Sequence, residues 1–249
     1  VSNSTLGARP EGTTNNSEAA DAVQRMFDEI APQYDRANHI LSMGMDRVWW
    51  KRAARRFDAV LQRPNAKVLD LCCGTGDMTA ALLARRPAGD VEPILAVDFS
   101  HEMIERGREK MRGKAVHFIE DDALHLQIES GTLDLVVSAF GFRNLADYSA
   151  GLREIRRVLR PGGQIGILDF SMPPPPLDLG YRVYFKHVLP RIGGMISGSK
   201  SSYEYLPASV ERFPAPQEFC GMMRQSGFAD ATWKPYLLGI AGLWSACAV

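Results

Sequence analysis

The sequence predicts an α/β fold built on a mostly parallel sheet that an antiparallel hairpin closes. Three observations predict it. Between residues 67 and 170, short apolar runs alternate with stretches of helical period, the pattern of βαβ crossovers. Those runs, such as Val68-Leu69-Asp70-Leu71 and Ile94-Leu95-Ala96-Val97, are nearly continuous rather than alternating, as in strands covered on both faces. After a proline-rich break, the chain ends in two strand-like segments, 228–237 and 239–247.

The elements follow in order. Residues 1–16 are rich in Ser, Thr, Asn and Gly and read as a disordered leader. Residues 17–249 then read as one domain, of which 17–64 supply helices covering a site. Ser17 can cap a first helix from Glu18, whose Val23, Met26, Phe27 and Ile30 share one face; Pro32 ends it. A second helix fits residues 46–61. Strands are expected at 68–71, 94–98, 115–119, 133–139 and 164–170, with helices at 77–86, 100–112 and 146–159 between them. Pro161-Gly162-Gly163 closes the last of these helices. Residues 171–206, opened by Pro173 to Pro176, break the rhythm and read as an insertion or lid. Tyr181, Tyr184, Phe185, Val188 and Leu189 form its apolar face. A helix at 216–226 precedes the closing strands.

Composition narrows the function classes. The 249 residues balance 29 Lys and Arg against 29 Asp and Glu, which argues against a general nucleic-acid binder. Cys72, Cys73, Cys220 and Cys247 form neither a zinc signature nor a disulfide framework, and the reading is of a reducing, cytoplasmic compartment. His39, His101, His117, His125 and His187 show no metal-pair spacing, so no metal is expected. No apolar run reaches the roughly 18 residues of a membrane span.

The chemistry concentrates after the strands. Gly74-Thr75-Gly76 turns from the first strand into a helix, and its glycines let a ligand approach the backbone. Thr79 stands where the dinucleotide fingerprint requires a third glycine, which counts against a pyrophosphate. Asp70 before the turn and Asp98 at the end of the next strand suit a ribose with two free hydroxyls. Together they point to an adenosyl ligand without phosphates, S-adenosyl-L-methionine. Asp122 with Ala123 follows the third strand, where a carboxylate can accept from an adenine amine. Ala139 to Asn144 follow the fourth. All these loops meet beyond the strand ends.

The stretch Val-Leu-Asp-Leu-Cys-Cys-Gly-Thr-Gly-Asp at 68–77 resembles motif I of class I methyltransferases, whose Rossmann-like sheet has seven strands. Residues 26–35, Asn38 to Gly44, Phe140-Gly141-Phe142-Arg143-Asn144, Leu168 to Ser171, Leu189 to Gly193 and Tyr203 to Pro207 narrow the resemblance. They are similar to the ubiquinone/menaquinone biosynthesis C-methyltransferase family, from about residue 21 onward. That resemblance implies methylation of a ring carbon on a polyprenylated quinol. The acceptor expected first is demethylmenaquinol, with the benzoquinol of ubiquinone biosynthesis, a sterol or a small phenol as alternatives. It also implies donor contacts at Thr75, Asp98, Asp122 and Ala123. At Ala139, where the family often has Ser, only the backbone can serve.

A hydroquinone becomes a carbon nucleophile when a ring hydroxyl loses its proton. Arg143 suits an electrostatic stabiliser of that phenolate, since its pKa makes it a poor base. Asn144 and Tyr34 could orient the quinol oxygens. The plainer alternatives are an ion pair of Arg143 with Asp98 or Asp35, and a Tyr34 that only packs. Met43, Met45 and Met195 read as filler beside a slot for the prenyl tail. Arg182, Lys186 and Arg191 suggest weak peripheral contact with the inner face of the membrane. The oligomeric state is left open, a homodimer included. Competing readings are a nicotinamide-dependent reductase and an inactive module on the same sheet.

Overall fold

The computed structural model describes residues 7–183 and 200–249. Ten helices and seven strands are labelled here among them. The helices are α1 (Asn16–Ile30), α2 (Tyr34–Leu41), α3 (Met45–Arg56), α4 (Asp58–Leu61), α5 (Asp77–Leu83), α6 (His101–Lys110), α7 (Tyr148–Val158), α8 (Leu177–Val183), α9 (Lys200–Arg212) and α10 (Pro216–Gln225). The strands are β1 (Val68–Leu71), β2 (Ile94–Asp98), β3 (Val116–Glu120), β4 (Leu133–Ala139), β5 (Leu159–Phe170), β6 (Phe228–Tyr236) and β7 (Ala241–Ala248).

They form one sheet in the order β3-β2-β1-β4-β5-β7-β6. The first five pair in parallel; β7 runs antiparallel to both β5 and β6. The closing hairpin is thus present, with its second strand inserted between β5 and β6. The strand order reverses between β1 and β4, so the loops after them diverge and leave a crevice at the carboxyl ends.

Successive side chains of a strand point to opposite faces, and two apolar layers result. Leu69, Leu71, Val136, Ile165 and Ile167 pack with Tyr148, Leu152 and Ile155 of α7, Phe219 of α10 and Trp244. Val68, Leu135, Val137 and Leu168 pack on the other face with Trp49, Ala53 and Phe57 of the α3 region and Leu82 of α5. This two-sided cover explains the continuous apolar runs.

The N-terminal region departs from expectation. Asn15, not Ser17, caps α1: its side chain accepts the Glu18 N–H at 2.9 Å, and Glu18 reaches back to the Thr14 N–H at 2.7 Å. The two side-chain acceptors together outcompete a lone serine. Residues 7–15 are not a free leader. Ala8 is buried, and its N–H donates to Leu145 O at 2.8 Å, so backbone hydrogen bonds hold a segment whose composition alone suggests disorder. The chain also makes α2 between α1 and α3, too short and too polar to show a clear period. Of the 171–206 segment, residues 184–199 lie outside the described residues, and with them Tyr184, Phe185, Lys186, Val188, Leu189, Arg191 and Met195.

Candidate active site

A cavity of about 920 Å³ opens at the switch point. That is the upper end of the range for sites of drug-sized ligands, about 300–1,000 Å³. Its floor is the meeting of two turns. Cys72 after β1 (φ 56°) and Phe140 after β4 (φ 59°) both hold left-handed backbone, which costs a non-glycine residue roughly 1–2 kcal/mol. Such strain gathers at functional sites. The turns approach so closely that a Cβ on Gly141 would lie 2.3 Å from the Cys72 Cβ. Burial pushes the thiols of both Cys72 and Cys73 well up, so they remain protonated packing groups.

The end of the cavity over β1, β2 and β3 is acidic. Asp98 accepts the Gly74 N–H at 2.8 Å and the Ser100 N–H at 3.0 Å, tying the β1 turn to the β2 loop. Burial raises its pKa to about 6. Asp70 is fully buried and accepts the Thr79 hydroxyl at 2.5 Å; its other oxygen has no partner among the described residues. Burial lifts its pKa to about 7, with the Asp98 charge adding to the rise. The Thr75 hydroxyl donates to Asp35 at 2.6 Å. Lys110 bridges Asp35 at 2.8 Å and Asp77 at 2.7 Å, which fastens the start of α2 to this loop. Asp122 accepts the Leu124 N–H at 2.9 Å and meets His125 at 2.8 Å.

The two raised carboxyls set a pH dependence. In the unfolded chain they lose their protons near pH 4, while in the folded protein they hold them to about 6 and 7. Between those limits the folded state binds more protons, so stability falls as pH rises from about 4 to 7. Asp70→Asn is expected to remove the larger share of that fall, a change on the order of a few kcal/mol. Urea midpoints at pH 5 and pH 8 check it. An unchanged difference between the two would place the titration elsewhere.

The other end lies over β4 and β5 and is aromatic. Trp49, Phe140 and Phe170 form a wall, with ring centroids 5.8 Å and 4.7 Å apart for the Trp49–Phe140 and Phe140–Phe170 pairs. Into it the turn Phe142–Asn144 brings Arg143, buried at 6% exposure. Arg143 pairs with Asp169 at 2.8 Å, lies 5.4 Å from the Phe170 ring centre and donates to the Phe140 carbonyl. Burial works against its charge, but Asp169 outweighs burial and the pKa is held above its ordinary value. Its Nε–H is buried without a partner among the described residues. Asn144 accepts the Tyr205 hydroxyl at 3.2 Å. Burial raises Tyr34 to about 12, tempered by Arg143, so its phenol stays protonated at neutral pH.

The cavity therefore brings together Arg143, Asn144, Tyr34, Asp70, Gly74, Thr75, Asp98, Asp122, Ala123 and Ala139. Gly76 stands apart from them. It does not line the cavity; its left-handed backbone (φ 89°) starts α5, and its α-carbon turns toward the Phe118 ring. The ion pair weighed as the plainer alternative for Arg143 does form, but with Asp169 at the end of β5 rather than with Asp98 or Asp35. Met43 is exposed at the rim, and Met45 packs on the core beneath. Asp169, Lys110 and Tyr205 were missed as partners. For Asp169 the available signal was an acid at the end of an apolar strand.

Asp70, Asp77, Asp98, Asp121 and Asp122 all line the cavity, and Arg143 is the one Lys or Arg among the described residues that does. A diphosphate would meet repulsion there. A nucleoside carrying a positive sulfur would find carboxylates for its charge and, at Asp98, an acceptor for its ribose. The unpartnered Asp70 oxygen fits the same cation. Fold and site are those of a class I S-adenosylmethionine-dependent methyltransferase. Solved structures agree on the fold. A methyltransferase of Aquifex aeolicus matches with a TM-score of 0.56 at 18% identity, over 79% of this chain and 89% of that one. A second, from Mesorhizobium loti, matches with a TM-score of 0.55 at 14% identity, over 78% and 97%. The profile of the ubiE/COQ5 methyltransferase family matches residues 13–247, and the chain belongs to that family. It is similar to the demethylmenaquinone methyltransferase of Deinococcus radiodurans, 45% identical over 90% of this chain and 91% of that protein. It is also similar to that of Thermus thermophilus, 47% identical over 88% and 97%.

Proposed function

We propose that the protein methylates a ring carbon of a polyprenylated naphthoquinol, converting demethylmenaquinol to menaquinol. The observation that carries this reading is Arg143, a buried cation with a free N–H on an aromatic wall, opposite a carboxylate-rich end of the same cavity. The names of the relatives favour naphthoquinol over benzoquinol.

The bound donor supplies a methyl group already activated on a positive sulfur. Asp98, Gly74, Asp122, Ala123 and the Ala139 backbone hold and orient it, and α1 covers it with Asn16, Ser17 and Asp21. Holding both reactants in one cavity is itself a large part of the catalysis. Arg143 attracts the negative charge that grows on the quinol oxygen when its proton leaves, and the adjacent ring carbon becomes nucleophilic. Arg143 does not take that proton, because its pKa is raised. The Tyr34 phenol and Asn144 amide hold the oxygens in register. Trp49, Trp50, Phe140 and Phe170 enclose the ring.

The protein, incubated with a methyl-labelled donor and a reduced short-tailed demethylnaphthoquinol without oxygen, is expected to place label on the ring carbon. No transfer to this quinol or its benzoquinol counterpart would end the reading.

A further inference from the structure

The rim of the cavity has a composition that folding does not explain. Apart from Val91 and Val249, the exposed large apolar side chains of the described residues fall in three segments. They are Ile40, Met43 and Val48; Leu177 and Leu179; and Leu237 and Leu238. Met43, Leu177, Leu237 and Leu238 line the same cavity. Met43 is 85% exposed and Leu238 69%. Leu237 and Leu238 make the β6–β7 turn with left-handed backbone (φ 42° and 57°), where Gly or Asn would be easier. Two leucines are thus held outward against both solvent and backbone preference. Two of the segments adjoin: the Ser171 N–H donates to Ile240 O at 3.0 Å, and the α-carbon of Gly239 turns toward Pro174, which joins the α8 segment to this turn.

Beside the rim lies a cationic helix face. On α3, Arg47, Lys51 and Arg55 form one row four residues apart, and Val48, Arg52 and Arg56 form the next. All are exposed, and none of these cations pairs with a carboxylate among the described residues. Asp46, the one acid of α3, is buried and bonded to His39 at 2.9 Å. Arg52 stacks 4.8 Å from the ring centre of Tyr236, the residue before the leucine turn, so the cationic face adjoins the apolar rim. The chain as a whole has no net charge, which makes this face a local feature. None of the helices built from the described residues is long and apolar enough to cross a membrane.

We infer that this rim and the outer face of α3 dock on an anionic lipid bilayer, with the leucines in the interface and the cavity mouth against the membrane. The inference rests on the lipid acceptor proposed above, for it lets the prenylated ring pass from bilayer to cavity without crossing water. Exposed apolar side chains flanked by cations that pair with no carboxylate among the described residues are the chemistry of an interfacial contact.

The test is co-sedimentation of the full chain with phosphatidylcholine vesicles, with and without phosphatidylglycerol. Binding is expected only with the anionic lipid and is expected to weaken as salt screens it. Lys51→Gln/Arg55→Gln/Arg56→Gln should lose on the order of 100-fold in partitioning, about five-fold for each charge. Leu238→Ser should lose about ten-fold on the same vesicles. The triple-charge variant should methylate a short-tailed quinol in solution as the wild type does, and show a raised KM for a long-tailed quinol in anionic vesicles. Equal binding to neutral and anionic vesicles, or undiminished binding by the triple variant, overturns the inference. Solution methylation intact without charge-dependent vesicle binding overturns the docking surface alone. Vesicle binding intact without any methylation overturns the catalytic reading alone.

Discussion

Replacement of Arg143 by Met is expected to cut turnover by about 100- to 1,000-fold, the usual effect of removing one group that stabilises developing charge. Donor binding should barely change, because the acidic end of the cavity proposed to hold the donor is built by β1, β2 and β3. Stability will also suffer. Arg143 pairs with Asp169, whose side chain has no exposure, and removing one partner of a buried pair costs about 3–5 kcal/mol. A loss of activity in the single variant could therefore be a loss of folding. Arg143→Met/Asp169→Asn separates the two. Asp169 now serves the Arg143 N–H at 3.1 Å with one oxygen and the Phe170 N–H at 2.8 Å with the other; the amide keeps an acceptor for one of them, and no charge is stranded. Part of the stability should return, the part that the stranded charge had cost, and none of the activity. Urea denaturation, donor calorimetry and turnover on a short-tailed quinol measure the three quantities. Turnover within a few-fold of wild type in the double variant would remove Arg143 from the mechanism.

Asp98→Asn is expected to weaken donor binding by on the order of 10- to 100-fold, the range for hydrogen bonds to a charged acceptor. Asp98 uses both oxygens, one for the Gly74 N–H and one for the Ser100 N–H, and an amide has one acceptor to offer. The pH profile is the sharper readout. With its pKa raised to about 6 by burial, Asp98 is protonated below that pH and meets a positive donor as a neutral acid. Wild-type affinity should therefore rise as pH increases through about 6 and then level, with Asp70 extending the rise toward 7. The variant should lose the lower part of that rise. The demethylated product, whose sulfur is neutral, should show a shallower profile on the wild type. Calorimetry from pH 5 to 8 checks all three, and a flat wild-type profile would show that neither carboxylate meets the donor.

The parts of the site legible beforehand are those encoded in a few adjacent residues. Gly74 is required by a turn that Ala would strain, Asp98 ends an apolar strand, and Arg143 stands in a short polar stretch after another. Gly76 belongs to the same turn in sequence, but the onset of α5 swings its α-carbon toward Phe118. The Asn15 cap and α2 were missed because competing polar residues and a short span leave no decisive period. Arg143–Asp169 could not be read from spacing, since the two residues lie 26 positions apart and meet only because β4 and β5 pair in parallel.

By itself the sequence determined the strands, the start of β5 apart (it runs from Leu159 through Pro161-Gly162-Gly163), the sense of the sheet and the glycine turn. These follow from residue period and backbone sterics, which act over a few positions. Tertiary structure alone decided that β7 lies between β5 and β6, that Asp35 and Lys110 clasp the loop after β1, and that Asp169 holds Arg143. It also brought Arg52 of α3 against Tyr236, the residue before the leucine turn. Charge and packing act through space, and the strand order sets which distant residues come within their reach.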